Sequence, residues 1–210
     1  MATTAPVQAA RSSANIVADA PAIATLSTED WIVGAREMLI AEGIGALKID
    51  RLAKACNVTR GGFYWRFRNR DDLLDQLLDH WRHTNGAAFL AAVNAEGTPH
   101  QRYHNLIRLW LDEVDFSPRF DSAIRAWGAV SDKVSKVVRD ADDQRIAALV
   151  RLFEDAGCPS AEALIRARIV YFHQIGYYAL DLRESRETRL EYLPVYYKVL
   201  TGFDDSLSPL

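Results

Sequence analysis

Apolar residues repeat at the spacing of an α-helix along nearly the whole chain from residue 27 to residue 202. Leu73, Leu74, Leu77 and Leu78 give a clear case, because residues three and four apart share one face of a helix. No run alternates apolar and polar residues as a half-buried strand does. The pattern predicts an all-α fold, whose helices beyond residue 97 cover 100–115, 119–131, about 134–156, 161–181 and about 187–201.

Residues with capping chemistry stand at the predicted helix ends. Ser27 and Asn69 each precede acidic residues that suit a first helical turn. Ser117-Pro118 places a cap before a proline at the first helical position. Gly43 and Gly202 suit the left-handed residue that ends many helices.

Composition excludes several classes of protein. The 210 residues, 49% of them apolar, are enough for a sizeable core. Two cysteines cannot form a disulfide framework, and no Cys/His cluster suggests a metal or cofactor. No apolar run reaches the ~18 residues of a membrane span, and no secretory signal is visible. We therefore expect a cytoplasmic protein, with residues 1–25 as a flexible tail.

Positive charge is concentrated in one segment of a chain whose net charge is −3. Residues 48–70 contain seven Lys or Arg and one acid, Asp50, which gives a net charge of +6. Such a segment is the electrostatic pattern of a site for a polyanion. A solvated basic surface is the alternative on charge alone.

Residues 49–67 have the spacing of a helix-turn-helix. A short apolar stripe ends at Cys56, and Asn57-Val58-Thr59 follows as a turn in which Asn tolerates the left-handed conformation. At about 100° per residue, Phe63 and Phe67 of the second helix point inward. The opposite, exposed side then carries Arg60, Gly61, Gly62, Tyr64 and Trp65.

An exposed helix face with two glycines and a tryptophan is unusual. Glycine costs about 1 kcal/mol of helix stability, but it lets a backbone approach a partner closely. The Tyr64 hydroxyl and the Trp65 indole can donate hydrogen bonds to phosphates, and Arg60 can reach guanine O6 and N7. The pattern favours a DNA-reading face, whereas packing of Tyr64 and Trp65 on a neighbouring helix is the alternative.

The stretch from Leu52 to Leu74 resembles the N-terminal DNA-binding domain of TetR-type transcriptional regulators, and the resemblance extends over about 27–82. It implies a three-helix domain with a helix-turn-helix at 26–82 and a larger helical domain at 83–210. It also implies that Arg60 reads bases. By the same resemblance, the residues that contact the phosphate backbone are Lys48, Thr59, Tyr64, Trp65 and Arg70. Gly61 and Gly62 complete the predicted DNA-binding residues, because they let the backbone approach the duplex.

Four positions depart from the family's usual pattern. Asn57 replaces glycine in the turn, and Lys48 replaces a Ser or Thr cap. Cys56 replaces a small alanine and is interpreted as a packed core thiol. Gly62 replaces a longer side chain that often reads bases, so direct readout depends heavily on Arg60.

The C-terminal part resembles the family more weakly, through its architecture and through the stretch from Asp121 to Trp127. The resemblance implies a small-molecule effector and a homodimer joined by helices 161–181 and 187–201. Both segments are apolar on more sides than one buried stripe needs. A dimer would also read two half-sites ~34 Å apart. A monomer core is the alternative.

Aromatic and polar residues between 100 and 181 are candidates for lining an effector pocket. Each also fits a core or a dimer interface, and His173 fits either a ligand contact or a structural role. Acidic residues in 132–143, Asp142 among them, are interpreted as a solvated helix surface rather than a metal site. The pocket candidates are Trp110, Phe116, Trp127, Tyr171, Phe172, His173 and Tyr177.

Three functional hypotheses follow. The first is a homodimeric DNA-binding regulator, a repressor in most such cases, that a small molecule releases from double-stranded DNA. The second is a helical enzyme, but no nucleophile elbow, zinc-protease motif, Walker loop or dinucleotide fingerprint is present, so we expect no enzymatic activity. The third keeps DNA binding and replaces the small molecule by a protein partner or by no effector.

Overall fold

The computed structural model describes residues 26–203, and this part of the chain is helical with no strand. The predicted tail over 1–25 lies outside the described residues. Single turns of 3-10 helix at Ile44–Ala46 and of π-helix at Arg82–Gly86 join longer elements. The α-helices are α1 (Thr28–Glu42), α2 (Ile49–Ala55), α3 (Arg60–Tyr64), α4 (Arg70–Trp81), α5 (Ala87–Val93), α6 (Pro99–Asp112), α7 (Pro118–Gly128), α8 (Asp132–Asp155), α9 (Ser160–Ala179) and α10 (Arg186–Thr201).

The predicted caps are confirmed at four helix ends. Ser27 accepts a hydrogen bond from the Asp30 amide, while the Asp30 carboxylate accepts one from the Ser27 amide. Asn69 and Ser117 cap α4 and α7 through their side chains. Gly202 ends α10 in the left-handed conformation, with φ at 68°. Local sequence therefore sets these boundaries.

Helix α5 is the element that the sequence pattern does not predict. The chain continues from α4 through the π-helical turn into α5 without leaving the right-handed helical conformation, because Arg82, Gly86 and Ala87 all have αR dihedral angles. The buried Asn85 side chain donates to the Ser117 carbonyl at 2.9 Å and accepts from the Ser117 amide at 3.1 Å. Asn85 and Gly86 are unfavourable in an isolated helix, but here the hydrogen bonds of Asn85 to the Ser117 backbone stabilise the helical conformation.

The first hydrophobic core lies under α1 to α4. Trp31, Phe63 and Leu77 are almost completely buried in it. Phe120 and Ile124 of α7 belong to the same core, as does the start of α8. The division of the chain at residue 82 stays a prediction, and α7 joins the two parts by packing.

The second core lies among α5, α6, α8, α9 and α10. Phe89, Leu149, Phe153 and Val170 are fully buried there. Helix α8 spans 24 residues and packs along α9. Among residues 26–203, no helix has the length and apolar character needed to cross a membrane.

Candidate DNA interface and effector site

The turn between α2 and α3 adopts the predicted left-handed geometry. Asn57 has φ at 55°, and the Val58 amide closes the turn on the Ala53 carbonyl at 3.0 Å. Helix α3 has only five residues and ends at Tyr64. Phe63 and Phe67, both buried, hold it against the core, with the Phe63 and Trp31 rings edge to face at 5.5 Å. The orientation of α3 is therefore fixed by packing.

The outer side of α3 faces solvent, as the sequence pattern predicts. We call Thr59, Arg60, Gly61, Gly62, Tyr64 and Trp65 the reading face. Trp65 is 88% exposed and Tyr64 is 50% exposed. A Cβ atom added at Gly61 or Gly62 would meet protein atoms only at ordinary van der Waals distance. Packing inside the protein does not require these glycines, so close approach by a partner is the better explanation.

Arg60 is held in place by two neighbours. Its guanidinium donates to the Tyr64 hydroxyl at 3.1 Å and lies 3.3 Å from the Asp50 carboxylate. The hydrogen bond to Tyr64 and the charge of Asp50 raise the pKa of Arg60 above its ordinary value. Sequence reasoning missed Asp50, although it is the single acid of the basic segment.

The remaining residues predicted to contact DNA differ in whether their side chains already have hydrogen-bond partners within the protein. Thr59 precedes α3, and its hydroxyl makes no capping bond. Lys48 is exposed before α2, and its helix has no side-chain cap, as expected. Arg70, by contrast, donates to the carbonyls of Leu47 at 2.5 Å and Ile44 at 3.3 Å. It fastens the turn between α1 and α2, so a phosphate contact would have to use its remaining N–H groups.

Two cavities share part of their lining. The outer cleft, about 710 Å³, is lined by α1, α7 and the end of α9, with Ile40 and Trp127 among its residues. The inner cavity, about 70 Å³, lies among α6, α9 and α10. Tyr177, Glu184 and Arg189 line both, so the two cavities meet at these side chains.

The structure brings together only some of the predicted pocket residues. Trp110 and His173 line the inner cavity, Trp127 lines the outer cleft, and Tyr177 lines both. Burial lowers the pKa of His173.

Three of the pocket candidates line neither cavity, and one of them, Tyr171, donates a hydrogen bond to Asp142 instead. Phe116 is buried against the Tyr178 ring, at 6.0 Å between centroids. Phe172 requires a correction, because its side chain is 59% exposed on the outer face of α9. Helix α9 has apolar residues on more than one side, and one of these sides can face solvent in a single protomer. Periodicity alone does not distinguish such an exposed side from the wall of a pocket.

A buried ion cluster joins α4, α7, α8 and α9. The Asp121 carboxylate accepts from Arg125 at 2.9 Å, from Arg145 at 3.1 Å and from the Trp81 indole at 3.0 Å. Burial disfavours the charged carboxylate, yet the two guanidinium groups hold the pKa of Asp121 below its usual value. The Trp81 indole thus ties α4, which follows the reading helix, to the body of the protein.

Asp142 and Tyr171 complete the cluster, so Asp142 is an exception to the predicted solvated acidic surface, whereas Asp132, Asp140 and Asp143 are exposed. Arg125 pairs with Asp142 through two hydrogen bonds, the shorter at 2.6 Å. The Tyr171 hydroxyl donates to Asp142 at 2.6 Å, and burial raises the pKa of Tyr171 to about 12. The sequence feature that indicates this cluster is the pair of an Asp and an Arg four residues apart, Asp121 and Arg125, within the stretch from Asp121 to Trp127.

Arg145 is buried with its positive charge against aromatic rings. Its guanidinium lies 5.2 Å from the ring centre of Trp81, 5.6 Å from that of Phe89 and 5.9 Å from that of Phe116. Its Nε and Nη2 atoms have no hydrogen-bond partner within residues 26–203. Ring faces supply part of the missing stabilisation. No group of three or more His, Cys, Asp or Glu in those residues could hold a metal ion.

Comparison with known proteins agrees with this geometry. Residues 32–77 match the family model described as bacterial regulatory proteins of the tetR family. A TetR-family transcriptional regulator from Streptomyces coelicolor has a similar structure, with a TM-score of 0.68 at 20% identity over 84% of this chain and 95% of that one. The ketosteroid transcriptional regulator of Mycobacterium tuberculosis aligns at 0.64 and 14% identity, over 86% and 97%. The fatty acid degradation regulator of Bacillus halodurans aligns at 0.58 and 13%, over 85% and 97%.

The described residues form a helix-turn-helix joined to a helical body, which is the fold of the transcription regulators named above. More specifically, residues 32–77 are similar to the domain that the tetR family model describes. The resemblance stated from the sequence is confirmed. The matched family and the three structures named above are described as regulators.

Proposed function

We propose that the protein is a homodimeric transcriptional repressor of the cytoplasm that leaves its operator when a small molecule binds the helical body. The single observation that carries DNA binding is the solvent exposure of the reading face on a helix fixed by buried rings. Arg60 reads bases, and Lys48, Thr59, Tyr64, Trp65 and Arg70 contact phosphates. The two glycines let the backbone approach the duplex.

The homodimer forms through α9 and α10. Ile165, Ile169 and Phe172 expose about half of their surface along one side of α9. Val195 and Val199 are even more exposed along α10. A single chain rarely leaves so many large apolar side chains in water. Two copies of a two-helix face pack as a four-helix bundle with two-fold symmetry, which suits two half-sites.

The effector acts through the outer cleft, which is lined by α1 of the predicted DNA-binding domain and by helices of the body. A ligand that fits better when α1 stands further from α7 favours a dimer with the wrong spacing between its reading helices. It weakens DNA binding only by the difference in its affinity for the two states. The bond between Trp81 and Asp121 transmits the movement, because it fixes α4 to the body.

A gel-shift titration tests DNA binding, using duplexes from the region upstream of the protein's own gene at low salt. We expect saturable binding by the dimer and weaker binding at high salt. No saturable binding to any such duplex would contradict the proposal. Transcription from the same region should rise in cells that lack the protein, whereas a fall would make it an activator.

A regulator that answers to a protein partner, or to no effector, is the second candidate. The small volume of the inner cavity favours it. A thermal-shift screen against metabolites and antibiotics distinguishes the two, because a ligand that binds the folded state raises the melting temperature. A stabilising compound that also weakens DNA binding supports the small-molecule effector.

A further inference from the structure

Asp50 of α2 brings a negative charge to the edge of the reading face. Its carboxylate lies 3.3 Å from the guanidinium of Arg60, and both side chains are largely exposed, at 73% and 58%. The two residues also line one surface depression of about 500 Å³, which Lys54 and Thr59 border as well. Asp50 is the single acid between residues 48 and 70. A duplex that meets Arg60 and Thr59 therefore also comes close to this carboxylate.

A carboxylate at this place opposes DNA binding in general. Phosphate groups repel it, so it lowers the affinity for duplexes of every sequence. Asp50 stands in the first turn of α2, where an acid interacts favourably with the helix dipole, and its exposed side chain is not part of the core. That interaction requires no contact with the reading helix. Helix stability therefore explains an acid at this position but not its ion pair with Arg60.

The Arg60 side chain is restrained from two sides. Its Nη2 atom donates to the Tyr64 hydroxyl at 3.1 Å, and its guanidinium lies 5.7 Å from the centre of the Tyr64 ring. Asp50 approaches the other terminal nitrogen, Nη1. Arginine has five N–H groups, so enough remain to pair with O6 and N7 of guanine. Because both neighbours already restrict the side chain, Arg60 loses less conformational freedom when it binds a base.

We propose that Asp50 is a positioning residue that sets sequence specificity: it holds the Arg60 guanidinium in the orientation that pairs with guanine, and it weakens binding to duplexes of other sequences. On guanine, Arg60 keeps Asp50 as a neighbour, so the negative charge stays compensated. On another base, Arg60 turns to a phosphate and leaves the carboxylate unpaired beside the DNA. The repulsion then acts against the wrong sequences. This inference rests on the proposed DNA-binding function and on Arg60 as the base-reading residue.

Asp50→Asn tests the role of the charge, because it keeps the size of the side chain. Fluorescence anisotropy on the full-length dimer measures affinity for a duplex that the wild type selects from a random pool. The same measurement uses duplexes with a replaced base pair at the position where Arg60→Ala loses discrimination. We expect affinity for the replaced duplexes to rise about threefold at low salt, and preference for the selected duplex to fall about fivefold. Glu37→Gln should change neither, because Glu37 is an exposed acid of α1 that pairs with Arg36 at 3.8 Å.

Further variants separate positioning of Arg60 from a role in the stability of α2. Asp50→Asn should no longer change the preference in the Arg60→Ala background, because no guanidinium is left to position. Asp50→Glu keeps the charge and should retain most of the preference. Melting temperatures show that each variant is folded, and Asp50→Ala replaces Asp50→Asn if the latter is not.

The outcomes distinguish this inference from the proposed function. An unchanged preference in Asp50→Asn, an equal loss of affinity for all duplexes, or a change of preference that persists without Arg60 overturns the role of Asp50. A wild type that binds no duplex saturably overturns the proposed function itself. A wild type that binds its selected duplex, with a preference that Asp50→Asn leaves intact, overturns only the inference about Asp50.

Discussion

The reading face and the effector cavities differ in how the chain builds them. The six residues of the reading face lie within one stretch, Thr59 to Trp65, that consists of a short helix and its two caps and is held in place by two phenylalanine rings. The inner cavity combines side chains from α6, α9 and α10, from Tyr103 to Leu200. A local surface follows from helical spacing, whereas a cavity depends on how distant helices pack. The proposed DNA-reading surface is therefore built from local sequence, whereas the proposed effector site depends on the packing of helices that are distant in sequence.

Breaking the buried ion cluster should have the largest effect. Asp121→Ala leaves the Arg145 charge buried and uncompensated, so we expect a loss of about 3–5 kcal/mol in the free energy of unfolding. Urea denaturation measures it. Asp143→Ala is the control, because Asp143 is exposed on α8, and it should change the free energy by less than about 0.5 kcal/mol. An Asp121 variant as stable as the control would contradict the importance of the cluster.

A comparison of the wild type with Asp121→Ala also predicts how stability depends on pH. The guanidinium groups hold the pKa of Asp121 below its value of about 3.9 in the unfolded chain, despite its burial. Its contribution to stability is therefore complete above about pH 4 and is lost as the pH falls through the lower folded value. As the pH falls below about 4, the free energy of unfolding of the wild type should decrease more than that of Asp121→Ala, because the variant lacks this carboxylate at every pH. Urea denaturation at a series of pH values measures the difference.

The dimer face should give the next largest effect. Ile169→Glu places a charge in the middle of the exposed apolar side of α9, and we expect dimerisation to weaken by about 2–4 kcal/mol. Sedimentation velocity measures the change. Val114→Glu, a similarly drastic change at an exposed position outside α9 and α10, should leave the dimer intact. Equal association of both variants would place the interface elsewhere.

Arg60→Ala should change sequence preference more than overall affinity. Loss of the guanidinium contact to guanine should reduce discrimination at one base pair by about 1–3 kcal/mol. Binding to duplexes that differ at single positions measures it. Arg139→Ala removes an exposed arginine of α8 and should change nothing. If Arg60→Ala lowers affinity for all duplexes alike, Arg60 contacts phosphate instead.

Tyr64→Phe should give the smallest effect. The variant keeps the ring and removes the hydroxyl, so all duplexes should bind more weakly by about 1 kcal/mol. The hydroxyl also accepts from Arg60 at 3.1 Å, so a double variant with Arg60→Ala measures how far the two contacts are coupled. A Tyr64→Phe variant that changes the preferred base would contradict the phosphate role.

Much of the DNA-binding half could be predicted from the sequence, because its signals are local. Capping residues mark the ends of α1 and α4, and the spacing of Phe63 and Phe67 determines which side of α3 is exposed. The missed contacts involve partners distant in sequence or on another helix. Asp50 reaches Arg60 from α2, and Arg70 reaches carbonyls more than twenty residues away.

The effector half could be predicted only as a set of helices. Apolar periodicity identifies α9 and α10 but does not say which face meets solvent, so Phe172 was assigned to a pocket. Asp142 has the composition of a surface acid and becomes part of a cluster because Arg125 and Tyr171 arrive from other helices. Likewise, only tertiary packing brings the Gln174 side chain to the inner cavity.

The most direct test of the central claim is fluorescence anisotropy with a duplex selected from a random pool by the wild-type protein. The double variant Tyr64→Ala, Trp65→Ala removes two exposed side chains of the reading face, together with the edge-to-face contact of the Tyr64 ring on buried Phe63, at 5.3 Å between centroids. With dimer and melting temperature unchanged, its affinity should fall by about a hundredfold, as expected for two lost contacts. Unchanged affinity in an intact dimer would show that this face does not meet DNA.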